Sequence, residues 1–404
     1  MLTKVEIEKY ADVMIWALEK AGEETGKTFK EGDLISLMFE RTAFDLAESI
    51  YEKCIKRGWN VSLNIAQTPN MKKSFYENAN ENQLNYLPDW ALEKRKNVSG
   101  LIALLSNEDL LSLKDADPQK ISTFMKSRKP IKDIIKTREQ NGDYSWTLCL
   151  WPTESMAKQA GLSLDEMFEQ VKEVCFLDKE NPVEEWNKLI DYNQKVCSWL
   201  KDLDIEEFHV KSQNVDLTVG LGEKRQYLST SGHNIPSFEI FTSPDCKNIN
   251  GKYYVDRPIF MLGNKIEKVS MEFKDGKCIK MSAEKGEDFL RKQMEIDEGA
   301  SMIGEFSLTD KRFSKINKFM AEILYDENYG GPHGNCHIAI GSSFANSYTG
   351  NQKDIKTDDQ KISKGLNVSA IHWDLINAED KEVTAKLKDG REVLIYKDGQ
   401  FTLD

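Results

Sequence analysis

The chain has 404 residues, 40% of them apolar and 10% aromatic. That is too many for one core and too apolar for a disordered chain, so two domains are expected. Acids outnumber bases 67 to 55, a net charge of -12, and so acidic a surface excludes nucleic acid as the natural partner.

Only five histidines stand against those 67 carboxylates, so any metal site must lean on oxygen ligands. No apolar run reaches the ~20 residues needed to cross a bilayer, so no membrane association is expected. The N-terminus carries acids where a signal peptide would be apolar. Seven scattered cysteines include no Cys-x-x-Cys pair. Reduced thiols in a cytoplasmic protein are expected.

In the first half, Val5, Ile7, Tyr10, Ala11, Met14, Ala17 and Leu18 recur at helical spacing up to Gly22. Residues 34–38 form a short apolar strand. Ala43, Phe44, Ala47, Ile50, Tyr51 and Cys54 make a second helical stripe, closed by Arg57-Gly58. Strands are predicted at 61–65, 101–105 and 146–151, and helices at 164–176 and 182–203. Short apolar strands between amphipathic helices predict an α/β domain, a parallel sheet with helices on both faces, over residues 1–205. No Gly-x-Gly-x-x-Gly follows any of these strands, so nucleotide binding is not supported.

Beyond about residue 205 the pattern turns to strands, at 208–210, 215–219 and 253–261. A hairpin over 269–281 turns at Asp275-Gly276, and a terminal meander turns at Asp389-Gly390 and Asp398-Gly399. Ile316, Phe319, Met320, Ile323 and Leu324 predict one helix over 314–325. Residues 206–404 thus read as a mainly antiparallel β domain with a few helices.

Four segments in this second half carry chemistry. In Asn234-Ile-Pro-Ser-Phe-Glu239-Ile-Phe-Thr-Ser-Pro244 a carboxylate sits between two prolines, in a stretch too apolar for a solvated loop. Glu305 follows the apolar, Gly-flanked run 299–304, where an unpaired buried charge would be very costly. Asp326-Glu327-Asn328 ends the predicted helix, and after a Gly-rich loop His337 opens the apolar strand 337–341. In the last segment His372 and Asp374, at strand spacing, project to one face, with Ile371 and Trp373 on the other. Glu239, Glu305, Glu327, His337, His372 and Asp374 make four carboxylates and two imidazoles, a donor set suited to paired divalent metals. Such a pair activates water and clamps a carbonyl oxygen.

These segments resemble the aminopeptidase T and aminopeptidase S family of bacterial dinuclear metallopeptidases. The shared features are Asn-x-Pro-x-x-Glu-x-Phe-Thr-x-Pro, Gly-Glu, Asp-Glu-Asn, a His-Ile-Ala-x-Gly strand and His-x-Asp, in the same order. The likeness reaches into the first half at 146–153 and 181–186. It implies a metallo-aminopeptidase that removes N-terminal residues from peptides by means of a water bridging two divalent ions (zinc, cobalt, manganese or magnesium). It also implies a cytoplasmic homodimer whose substrates are peptides with a free N-terminus. The β-rich domain would be catalytic. The implied metal ligands are Glu239, Glu305, His337, His372 and Asp374, with Glu305 shared. Glu327 is a ligand or an acid–base group, and Glu305 or Glu327 takes the water's proton. The family carries Tyr seven residues after the strand His; here that position is Phe344. Tyr348 is the candidate to replace it, and the alternative is a family member that binds metal or peptide with weakened or absent catalysis.

Overall fold

The structure, a computed structural model, describes residues 1–403; Asp404, the last residue of the expected β domain, lies outside the described residues. The chain divides into two units. One is Met1–Trp186 with Ser231–Pro236, and the other is Asn187–Thr230 with the chain from Ser237 on. The change of pattern in the sequence places a single boundary near residue 205.

In the first unit, five described strands form an all-parallel sheet in the order 60–65, 34–39, 100–105, 145–150, 234–235. Helix Lys4–Thr25 starts on a Thr3/Glu6 capping box and stops at Gly26, in the left-handed region. Its buried stripe includes Tyr10, Met14 and Leu18, and the Tyr10 hydroxyl donates to the Leu150 carbonyl at 2.9 Å. Helix Phe44–Lys56 buries Leu46, Ala47, Ile50 and Cys54. The two-residue strand Asn234–Ile235 joins this sheet from far along the chain.

In the second unit, nine described strands form one antiparallel sheet and four form another, ordered 372–377, 335–341, 303–309, 239–242. The hairpin Asn264–Lys274/Lys277–Lys285 turns at Asp275 and Gly276, both with positive φ, the twist that a two-residue hairpin loop needs. Phe208, Leu217, Val269 and Val383 share a core with Phe306, Leu308, Ile338, Ile340 and Leu375 of the four-stranded sheet. One face of that small sheet is thus committed to packing.

The helix predicted over 314–325 does not form. The only helical residues there are in Ile323–Asp326. The preceding chain is tied back by the Asp326 carboxylate, which accepts from the backbone of Met320 (2.7 Å) and Glu322 (3.1 Å). The apolar stripe reflects a packed loop, with Ile316 and Met320 buried. No described helix is long and apolar enough to cross a membrane.

Candidate metal centre

Residues paired across an antiparallel sheet share a face. The register aligns Glu239 with Thr309, Ser307 with His337, Glu305 with Ala339, Ala339 with Asp374, and Gly341 with His372. Strand alternation then puts Glu239, Glu305, His337, His372 and Asp374 on one face. The core residues Phe306, Leu308, Ile338, Ile340 and Leu375 occupy the other. Gly304, just before Glu305, lies where the register shifts. A side chain there would meet the Gly341 carbonyl at 2.3 Å, so only glycine lets the two strands close.

His337 Nε2 lies 3.3 Å from Glu239 Oε2, 3.5 Å from Glu305 Oε1 and 3.8 Å from Asp374 Oδ1. His372 Nε2 lies 3.0 Å from Glu305 Oε2 and 3.6 Å from Asp374 Oδ1. Two donor triads result, Glu239–Glu305–His337 and Glu305–His372–Asp374, with Glu305 common to both. Glu239, Glu305 and His337 are buried, whereas the His372 side chain is 28% exposed. The second triad therefore forms the open side.

Each imidazole is oriented through its other nitrogen. His337 Nδ1 lies 3.2 Å from the Glu327 carbonyl and His372 Nδ1 2.7 Å from the Ser342 carbonyl. A carbonyl only accepts, so both rings carry hydrogen on Nδ1 and aim Nε2 at the carboxylates. This is the arrangement that metal-ligating histidines use. Ser307 donates to Glu239 Oε2 at 3.0 Å.

Glu327 sits beside the triads and belongs to neither. Its carboxyl is hydrogen-bonded to Asp374 and accepts from Asn328 Nδ2 at 3.3 Å. Asn328, fully buried, also takes the Phe238 amide at 2.6 Å. It thereby ties Glu327 to the segment that leads into Glu239.

Burial raises the Glu239 carboxyl. Burial, reinforced by Asp374 and Glu239, lifts Glu327 well above the carboxylate range. Burial also opposes charge on Glu305 and Asp374, but His337 and His372 outweigh it and hold both low. For the imidazoles, burial is overcome by Glu239 and Glu305 at His337, and by Asp374 and Glu305 at His372. Both are raised well above their ordinary values. The buried negative charge is thus balanced by protons on imidazoles, where divalent cations could stand instead. The donor set, its hydrogen-bonded orientation and this charge deficit fit a metal pair.

The structure brings together all six residues singled out as possible metal ligands. The Tyr348 ring is buried in a hydrophobic cluster with Ile355 and Leu366, with the Arg225 guanidinium 5.9 Å from its centroid. Phe344 instead lies next to the triads, its ring centroid 4.9 Å from that of His372. Neither Ser307 nor a role for Asn328, the last residue of the Asp326-Glu327-Asn328 motif, is expected from the sequence. Ser307 is two residues from Glu305 on a strand, and that spacing alone would have put it on the same face. No sequence signal marks the Ser342 carbonyl.

The model of the thermophilic metalloprotease (M29) family matches residues 3–401. Aminopeptidase AmpS of Bacillus subtilis (strain 168) is 27% identical over 409 residues, covering 94% of this chain and 96% of that protein. Aminopeptidase T of Thermus aquaticus is 24% identical over 403 residues, with the same coverage of each. The solved structure of wild-type AmpT from Thermus thermophilus aligns with a TM-score of 0.78 and 21% identity, over 98% of this chain and 99% of that one.

Proposed function

From a chain that belongs to the thermophilic metalloprotease (M29) family, we propose a metal-dependent aminopeptidase that hydrolyses the first peptide bond of substrates with a free N-terminus. The observation that carries this reading is the pair of donor triads joined through Glu305. The names of the relatives, AmpS and aminopeptidase T, support the exopeptidase assignment.

Glu239, Glu305 and His337 would hold one divalent ion and Glu305, His372 and Asp374 the other. Zinc, cobalt, manganese and magnesium are the candidates for both. When bound, such a pair supplies a Lewis acid for the scissile carbonyl and a bridging water acidic enough to attack near neutral pH. Glu305, low and fully engaged with both imidazoles, serves as ligand. Burial and its anionic neighbours keep Glu327, outside both triads, protonated in the metal-free protein; bound cations would offset that charge, and the ionised carboxylate would then take up a proton and return it to the leaving amine. The Asn328 amide, donating to Glu327 Oε1 at 3.3 Å, holds its carboxyl in place. The acidic surface suits a cationic peptide N-terminus. A cytoplasmic homodimer remains part of this reading on resemblance.

Phe344 favours a second reading, a metal- and peptide-binding protein with weakened catalysis, because its ring offers no hydroxyl next to His372. Turnover separates the two. Glu305→Ala is expected to lose metal and at least ~10³-fold of the leucyl-anilide activity. Wild-type rates in that variant would refute the site.

A further inference from the structure

Phe344 is an aromatic residue with 38% of its surface exposed, yet it is rigidly held. Its amide donates to the hydroxyl of buried Ser243 at 2.8 Å, and its carbonyl accepts from Ser347 Oγ at 2.7 Å. Asn367, also buried, braces the loop further back by donating to the Gly341 carbonyl at 2.6 Å, while its amide donates to Ser343 Oγ at 2.8 Å. The ring stands edge-on to His372, at 71° and 4.9 Å, and against half-buried Phe241 at 5.2 Å. Phe241 lies opposite Ser307 in the sheet, on the face that bears the triads. The loop that orients His372 through Ser342 therefore also sets an exposed apolar wall at the open side of the site.

An ordered, solvent-facing ring keeps water from making hydrogen bonds and gains when an apolar group covers it. We propose that Phe344, backed by Phe241, is the specificity-determining contact for the side chain of the substrate's first residue and selects peptides that begin with an apolar or aromatic residue. This rests on the aminopeptidase reading, since a carbonyl held at the triads places the neighbouring side chain beside them. A substrate with a charged or very small first side chain would leave the wall wet and gain nothing from it. Differences of a few methylenes in such a contact change kcat/KM by about tenfold or more.

The test compares metal-reconstituted wild type, Phe344→Ala and Phe344→Leu on leucyl-, alanyl- and lysyl-anilides. Calorimetric binding of L-leucinol and L-alaninol, which cannot be hydrolysed, runs alongside. The wild type is expected to favour leucyl over alanyl and lysyl substrates. Phe344→Ala is expected to cut the leucyl/alanyl ratio about tenfold, chiefly through KM, and to reduce the leucinol/alaninol affinity ratio in step. Phe344→Leu, still apolar, is expected to keep most of both ratios. An unchanged ratio in Phe344→Ala, or a wild type that prefers lysyl or alanyl substrates, would overturn the proposal. If no anilide turns over, the binding ratio decides: a Phe344-dependent preference for leucinol keeps the subsite while the hydrolytic reading fails.

Discussion

Glu305 Oε2 meets His372 Nε2 at 3.0 Å although their strands are not neighbours. Strand Asn335–Gly341 runs between them. The residue under this crossing is Ala339, paired with Glu305 on one side and Asp374 on the other. Strands two apart lie roughly 10 Å from each other, a gap that a Glu side chain closes only over a small floor. Ala339→Leu is expected to block the second triad and lower the retained metal from two ions per chain to one. Overpacking there should cost about 1–3 kcal/mol, so the variant should still unfold cooperatively. Metal content measured beside a thermal melt checks this, and normal metal content in Ala339→Leu would contradict it.

The two triads predict separable ions. Glu239→Gln should weaken one and Asp374→Asn the other, because each carboxylate belongs to a single triad. Elemental analysis after dialysis is expected to give one ion per chain in each variant. Loss of both ions from either variant would show that the sites are not independent.

Glu327 and Asn328 predict a loss of rate without loss of metal. Glu327→Gln should lower kcat by roughly 10²–10⁴-fold, and Asn328→Ala by roughly 10–100-fold through misplacement of the Glu327 carboxyl. Both should retain two ions. A drop in metal content in Glu327→Gln would make Glu327 a ligand instead.

The raised His337 and His372 give metal binding a definite pH dependence. In the metal-free protein both rings hold their protons to higher pH than usual, and those protons must leave before Nε2 can ligate. Apparent affinity should therefore rise with pH, by roughly tenfold per unit for each proton displaced, and fall in acid. Titrations in buffers of different ionisation enthalpy should detect protons released on binding; no release would refute the neutral-ligand assignment.

Most of the site was legible because strand alternation depends only on residue spacing. His372 and Asp374 had to share a face once residues 372–377 were a strand. Elements that depend on distant contacts were not legible. Strand Asn234–Ile235 is too short to show any period. The 314–325 stripe has helical spacing, but Asp326 takes the backbone amides that a helix would use. The turn after strand 335–341 needs Gly341, which has φ +106 and sits where a side chain would meet the Ile371 carbonyl at 2.1 Å.

The central claim is that this face of the sheet hydrolyses peptide N-termini only when metal is bound. Leucyl-anilide turnover by chelator-treated protein, with zinc, cobalt, manganese and magnesium added back one at a time, tests it most directly. Activity is expected to fall at least ~10³-fold on stripping and to return with at least one of the four ions at two per chain. Full activity in the stripped protein, or none with any of these ions, would contradict the account.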